Sequence, residues 1–183
     1  MNIDRWSFHF INQFAGQWEF LDWFMKAFSS KGNLTVPVIL CGCYWLWSKK
    51  WEAIIVAPVL AGVVGIGDFV GGQLKELVGR SRPCQVLLNI QELFGCGGAM
   101  SLPSNHALNT ATASMFLSVL YPRLGWVLWP VVGCVGISRV YLAAHYPSDV
   151  LVGWLLGGTL GGVVAWGVRQ WIILPARLRN KTE

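Results

Sequence analysis

Five apolar runs without Asp, Glu, Lys or Arg cross this 183-residue chain, at 32–48, 53–67, 107–121, 124–138 and 150–168. They constrain the fold more than any other feature. A bilayer core asks for roughly 20 apolar residues per helix, within a range of ~17–25. The last run meets that length outright and 32–48 falls at the short end. The others reach it by absorbing flanking polar residues, and 53–67 extends to 74 only if Asp68 is tolerated. Backbone groups inside lipid must be satisfied within a helix or a closed barrel. Long apolar runs with no two-residue alternation select helices. The expected fold is therefore all-α: one polytopic membrane bundle occupying residues 1–183, with about five transmembrane helices.

Composition agrees. Only 13% of residues are charged, 54% are hydrophobic, and eleven are tryptophan, a residue that collects where a membrane meets water. The 14 basic residues give a net charge of +5 but are scattered between apolar runs. They form no continuous patch, so no nucleic-acid partner is expected. The first twenty residues lack an uninterrupted apolar core and a small-residue cleavage site, so no cleavable signal peptide is expected. In residues 1–31, Trp6, Phe10 and Phe14, then Phe20, Phe24 and Phe28, recur at helical spacing, interrupted by Glu19, Asp22 and Lys26. This predicts two amphipathic helices broken near Gly16 and lying in the membrane interface. A sixth, tilted span is the alternative.

If 32–48 is the first span, Lys49, Lys50, Arg123, Arg169, Arg177, Arg179 and Lys181 share one side. Positive-inside bias makes that side cytoplasmic. Lys75, Arg80, Arg82 and Arg139 then face outward, with His106 and His145. Ionisable residues at such positions are costly and mark function. Asp68 is the exception and reads as a packing carboxyl, protonated or hydrogen-bonded.

Three segments carry the chemistry. In KELVGRSRP, Lys75 and Arg82 are seven residues apart, about two helical turns, which predicts that both sit on one helix face. In SLPSNHALNTAT, Pro103 and Ser104 precede a helix, with Ser104 as its expected N-cap. The amides of such a helix end bind anions, and His106 lies in its first turn. In SRVYLAAHYPSD, Arg139 precedes His145 and Asp149, which are four residues apart across a helix start at Pro147 and Ser148. The carboxylate can orient and polarise the imidazole. Three cations ask for a multiply charged anion. Two histidines allow one to attack and the other to protonate the leaving oxygen. No metal or other cofactor is expected, since carboxylate ligands are few and the cations would repel a metal ion.

These three segments resemble, in order and in internal spacing, the signature motifs of the type 2 phosphatidic acid phosphatase superfamily. The likeness covers residues 75–149 by motif and most of the remainder by the layout of spans. It implies His145 as the nucleophile forming a phosphohistidine, with Asp149 hydrogen-bonded to it. It implies His106 as the acid for the leaving group, and Lys75, Arg82, Ser104, Asn105 and Arg139 as phosphate ligands. Asn105 stands where the family pattern has glycine; the backbone donor survives the change. The implied activity is a metal-independent lipid phosphatase in a bacterial cytoplasmic membrane, its site facing the exterior. Undecaprenyl diphosphate is the first expected substrate, followed by phosphatidylglycerol phosphate, phosphatidate and the 1-phosphate of lipid A. A lipid headgroup phosphotransferase and an inactive scaffold or transporter are the rival classes. Soluble vanadium haloperoxidases share the motifs, but five apolar runs separate this chain from them.

Two further expectations concern packing. Glycines 153, 157 and 161 recur every four residues, so a close helix–helix approach inside the bundle is expected, and a monomer with it. Cys41, Cys43 and Cys134 lie in apolar runs as core filler. Cys84 and Cys96 instead bracket a loop on the outward side, where a disulfide is permitted. Paired, they would pin that loop, with Leu87, Leu88, Ile90, Leu93 and Phe94 dipping into the outer leaflet as a lip over the site. Two free thiols are the alternative.

Overall fold

The computed structural model describes residues 3–30, 42, 47 and 51–173. Apart from Gly42 and Trp47, the expected span 32–48, with Cys41 and Cys43, lies outside the described residues. The α-helices delimited among the described residues are, in order, α1 Ile3–Asn12, α2 Glu19–Ser29, α3 Trp51–Val78, α4 Pro83–Val86, α5 Asn105–Leu120, α6 Gly125–Tyr141 and α7 Pro147–Val168. A 3₁₀ turn, Pro122–Leu124, leads into α6, and a π turn, Arg169–Ile173, closes α7. Among the described residues the sole β feature is an isolated bridge between Ser81 and Met100. Three described segments are long and apolar enough to cross a membrane: Glu52–Val78, Pro122–Tyr141 and Pro147–Ile173.

The expected span at 107–121 takes a different place. Helix α5 has 16 residues, about 24 Å at 1.5 Å per residue, short of a hydrocarbon core of ~30 Å. It is the central helix, packed on α3, α6 and, most extensively, α7. Ala107, Leu108, Ala111, Thr112 and Phe116 are buried along it. Helix α7 approaches it on a glycine face. A Cβ on Gly153, Gly157 or Gly161 would lie 2.7, 2.2 or 2.3 Å from the carbonyl oxygens of Ser104, Leu108 and Thr112. The four-residue glycine repeat therefore serves packing within the bundle, as its spacing predicts.

The break between the first two helices falls where expected. Gly16 takes a left-handed φ of +80°, a conformation that glycine adopts without a Cβ penalty. Its N–H donates to Asp22 Oδ1 at 3.0 Å. Ile3, Trp6, Phe10, Trp18, Phe20 and Trp23 are exposed and form a largely aromatic outer face. The opposite face docks on the bundle. Phe8 is buried against Tyr146, and the Asn12 amide donates to the carbonyls of Gln91 and Tyr141, both at 2.8 Å.

Cys84 and Cys96 are joined in a disulfide, their Cα atoms 5.7 Å apart, while Cys134 is free and half-buried. The loop they bracket divides its apolar residues. Leu87 and Ile90 pack on the cluster around Phe8, and Leu93 packs beside Tyr141 and Leu142. Only Leu88 and Phe94 of the expected lip are exposed. The other three fill the core beneath the loop, so only two of the five side chains are left for the expected lip.

Candidate active site

The third segment starts from a reversal after α6. Ala143 adopts φ +59°, fully buried, at a cost of order 1–2 kcal/mol for an L-residue. The N–H groups of Ala144 and His145 both donate to the Arg139 carbonyl, at 3.0 and 3.1 Å. This tight turn seats His145 at 2% exposure, just ahead of α7. Pro147 opens α7 as expected, and Asp149, in its first turn, is fully buried.

His145 and Asp149 do not touch as directly as their spacing implies. Nδ1 lies 3.8 Å from Asp149 Oδ2, too far for a hydrogen bond. Ser101 stands between them. Its hydroxyl donates to Asp149 Oδ2 at 2.5 Å and lies 3.3 Å from His145 Nδ1. With its proton committed to the carboxylate, Ser101 Oγ can accept only from an Nδ1–H, which leaves the Nε2 lone pair for chemistry. Asp149 Oδ2 also accepts the Tyr146 N–H at 2.8 Å, and Oδ1 accepts from Arg80 Nη1 at 2.6 Å. Burial pushes the His145 imidazole down to about 3. Asp149 works against that shift, while Arg139, Arg82 and Lys75 reinforce it. The nucleophile candidate is therefore neutral at any ordinary pH, in the field of all three expected cations.

Those cations come from three places. Lys75 is on the last turn of α3, and its ammonium donates to the carbonyls of Met100, Ser101 and Pro103, at 3.4, 3.3 and 2.5 Å. It ties down the segment before α5. The seven-residue spacing predicts one shared helix face for Lys75 and Arg82, but Arg82 lies beyond the end of the Lys75 helix. Helix α3 ends at Val78, where Gly79 turns left-handed at φ +63° and its N–H caps the Lys75 carbonyl at 2.9 Å. Arg82 follows on extended backbone (φ −76°, ψ 153°). Its Nε and Nη1 donate to the carbonyls of Met100 and Cys96, at 3.2 and 3.1 Å. Arg139 is buried at the end of α6, with Nη1 on Ser29 Oγ of α2.

At the start of α5, Ser104 occupies the N-cap position but makes no side-chain capping bond. Its hydroxyl and the Nε of Arg139 are buried polar atoms without a partner among the described residues. Buried polar groups are nearly always paired, and a phosphoryl oxygen would satisfy both donors. His106 is half-buried in the first turn. Asn105 turns its side chain away from this helix end: the amide donates to Asp68 Oδ1 of α3 at 3.0 Å. With that side chain engaged, the backbone N–H is the donor left to Asn105 for the phosphate role that the resemblance implies. Asp68 is thus a hydrogen-bonded packing carboxyl, as expected, and also accepts from Asn109 at 2.8 Å. Among the described residues, no three His, Cys, Asp or Glu side chains gather to hold a metal ion.

Residues 57–173 match the PAP2 superfamily. The chain belongs to that superfamily. It is a PAP2-type membrane lipid phosphatase. A lipid A 4'-phosphatase from Bacteroides thetaiotaomicron is 31% identical over 89% of this chain and 75% of its own length. An undecaprenyl-diphosphatase from Sulfolobus acidocaldarius is 43% identical over 60% of this chain and 52% of its own. The fold matches the crystal structure of a transmembrane PAP2-type phosphatidylglycerolphosphate phosphatase from Bacillus subtilis. Their TM-score is 0.68 at 24% identity, over 93% of this chain and 89% of the other.

Sequence reasoning assigned no role to three residues that the structure brings to this candidate site: Ser101, Arg80 and Asp4. Ser101 opens the second segment, two residues before Pro103, and has no helical register with its partners. Arg80 lies inside the first motif, among basic residues that the sequence distinguishes only by spacing. Asp4 is 76 residues from the guanidinium it meets, and no local rule connects the two.

Proposed function

We propose that the chain hydrolyses undecaprenyl diphosphate at the outer face of a bacterial cytoplasmic membrane, through a phosphohistidine on His145. The observation that carries the phosphoryl-transfer reading is a pair of buried donors, Ser104 Oγ and Arg139 Nε, that find no partner among the described residues, at a site where three cations act on a neutral imidazole. Nε2 of His145 attacks phosphorus as the bond to the leaving lipid phosphate breaks, and His106 gives its proton to the departing oxygen. Water then attacks the phosphohistidine, His106 takes the water's proton, the P–N bond breaks, and phosphate leaves. The charge built up on the equatorial oxygens is met by donors already in place, so little reorganisation is needed. No step uses a metal ion.

Likeness to the undecaprenyl-diphosphatase supports the choice of substrate. The exposed Leu88 and Phe94 of the disulfide-bonded loop support a lipid tail held beside the site. A second reading, a lipid A phosphatase, is favoured by the relative that aligns over 89% of the chain. The decisive assay is phosphate release by purified protein in the presence of chelator. Its substrates are undecaprenyl diphosphate, lipid A, phosphatidylglycerol phosphate and phosphatidate. We expect kcat/KM for undecaprenyl diphosphate to exceed the others at least tenfold. A higher value for lipid A transfers the assignment to the second reading.

A further inference from the structure

Arg80 differs from the other cations of the site. Nη1 donates to Asp149 Oδ1 at 2.6 Å and to Ser148 Oγ at 2.7 Å, and Nη2 donates to Asp4 Oδ2 at 2.5 Å. The guanidinium carbon stands 4.1 Å from the centre of the Tyr146 ring, within the range of a cation–π contact. Both terminal nitrogens are thus engaged on the side of Asp149 that faces away from Ser101 and His145. Asp4 in turn grips the first turn of α7. Its Oδ1 accepts the Ser148 N–H at 2.9 Å, and its Oδ2 accepts the Ser148 hydroxyl at 2.7 Å. The Asp4 side chain is 12% exposed, and that of Asp149 is fully buried.

A fully buried carboxylate needs a close cation and a complete set of donors to stay ionised and still. Ser101 and Tyr146 supply the donors on Oδ2, and Arg80 supplies both cation and donor on Oδ1. The planar guanidinium can hold two carboxylates and a hydroxyl at once, which an ammonium cannot do in the same geometry. Asp4 is the group that aims it. Asp4 lies on α1, outside the residues 57–173 that match the superfamily.

We propose that Arg80, aimed by Asp4, is a positioning residue for the Asp149–Ser101–His145 relay, so that the amino-terminal helix is a working part of the active site. The proposal rests on the reading of His145 as nucleophile given above. Arg80 itself binds no substrate; its contribution passes through Asp149.

The test is a double-mutant cycle on the full-length protein with D4N, R80Q and the pair together, assayed on undecaprenyl diphosphate. Inorganic phosphate, as a competitive inhibitor, reports on the anion site. Each single variant should lose about 10- to 100-fold in kcat, the scale that a small misplacement of a reacting group costs. KM and the phosphate inhibition constant should stay within threefold, because Lys75, Arg82 and Arg139 are untouched. The double variant should lose no more than R80Q alone, and Asp4→Glu should recover part of the D4N loss. A D4N enzyme with the parent kcat overturns the proposal. So do additive losses, or phosphate inhibition that weakens in step with kcat. If the parent protein hydrolyses no lipid phosphate, the assignment of function fails instead. The network is then decided by the 15N imidazole signals of His145, assigned with H145Q. Signals that shift in D4N support the relay, and signals that do not move refute it.

Discussion

Replacing Gly157 by alanine puts a methyl carbon 2.2 Å from the Leu108 carbonyl oxygen and 3.0 Å from Thr112 N. Both are backbone atoms of α5, so no side chain can rotate away. The contact falls about 0.8 Å inside the 3.0 Å below which a Cβ essentially never comes. Helices α5 and α7 must therefore separate by about that distance. Overpacking of this kind costs about 1–3 kcal/mol. The gain in helix propensity from glycine to alanine returns about 0.8–1.0 kcal/mol, so the net loss of stability is about 0–2 kcal/mol. The effect on turnover should be larger. Helix α5 carries His106 and α7 carries Asp149, and a displacement near 1 Å between catalytic elements can cost about 100-fold. Gly158→Ala is the control: its Cβ would meet only the Met115 methyl, at 3.9 Å. Thermal unfolding and kcat of both variants, in the same detergent, make the comparison. Equal kcat and equal melting temperature for Gly157→Ala and Gly158→Ala would refute the close-packing argument.

His145→Ala should abolish turnover, and His106→Ala should cost about 10²–10⁴-fold on a monophosphate ester. The His106 loss should be smaller on a diphosphate, whose leaving group needs less help from an acid; steady-state rates on both substrates check this. Ser101→Ala should lower kcat by about tenfold or more with little change in KM, since the link between Asp149 and the imidazole is broken. The depressed His145 pKa of about 3 makes a separate prediction about stability. Between the ordinary histidine value near 6.5 and about 3, the unfolded chain binds a proton that the folded chain refuses. Stability contributed by this group is present above pH 6.5 and is lost as pH falls through that window. Melting temperatures from pH 7 to 4 should therefore fall less steeply in His145→Gln than in the parent. Reducing the Cys84–Cys96 disulfide should destabilise the fold by about 3 kcal/mol, the chain-entropy value for closing a loop of this length. Maleimide should label both thiols only after reductant is added.

What the sequence by itself determined is local or periodic. Uncharged runs set an all-helical membrane bundle, because lipid leaves the backbone no other partner. Gly16, Pro147 and the glycines at 153, 157 and 161 act through backbone geometry at their own positions, so the break, the helix start and the close-packed face were all legible. The motif residues were legible too, as a set of charges with no other reason to sit beside apolar spans. Tertiary structure decided how those residues are held. Gly79 ended α3 four residues after Lys75, so the Lys75–Arg82 spacing lost its helical meaning. Packing made α5 the core helix, although its apolar run resembles the outer ones. The partners of Asp149 arrive from Ser101, 48 residues before it, and from Arg80, 69 residues before it. Hydropathy and helical period carry no information over such separations. A buried carboxylate demands donors, but only the folded chain decides which segments bring them.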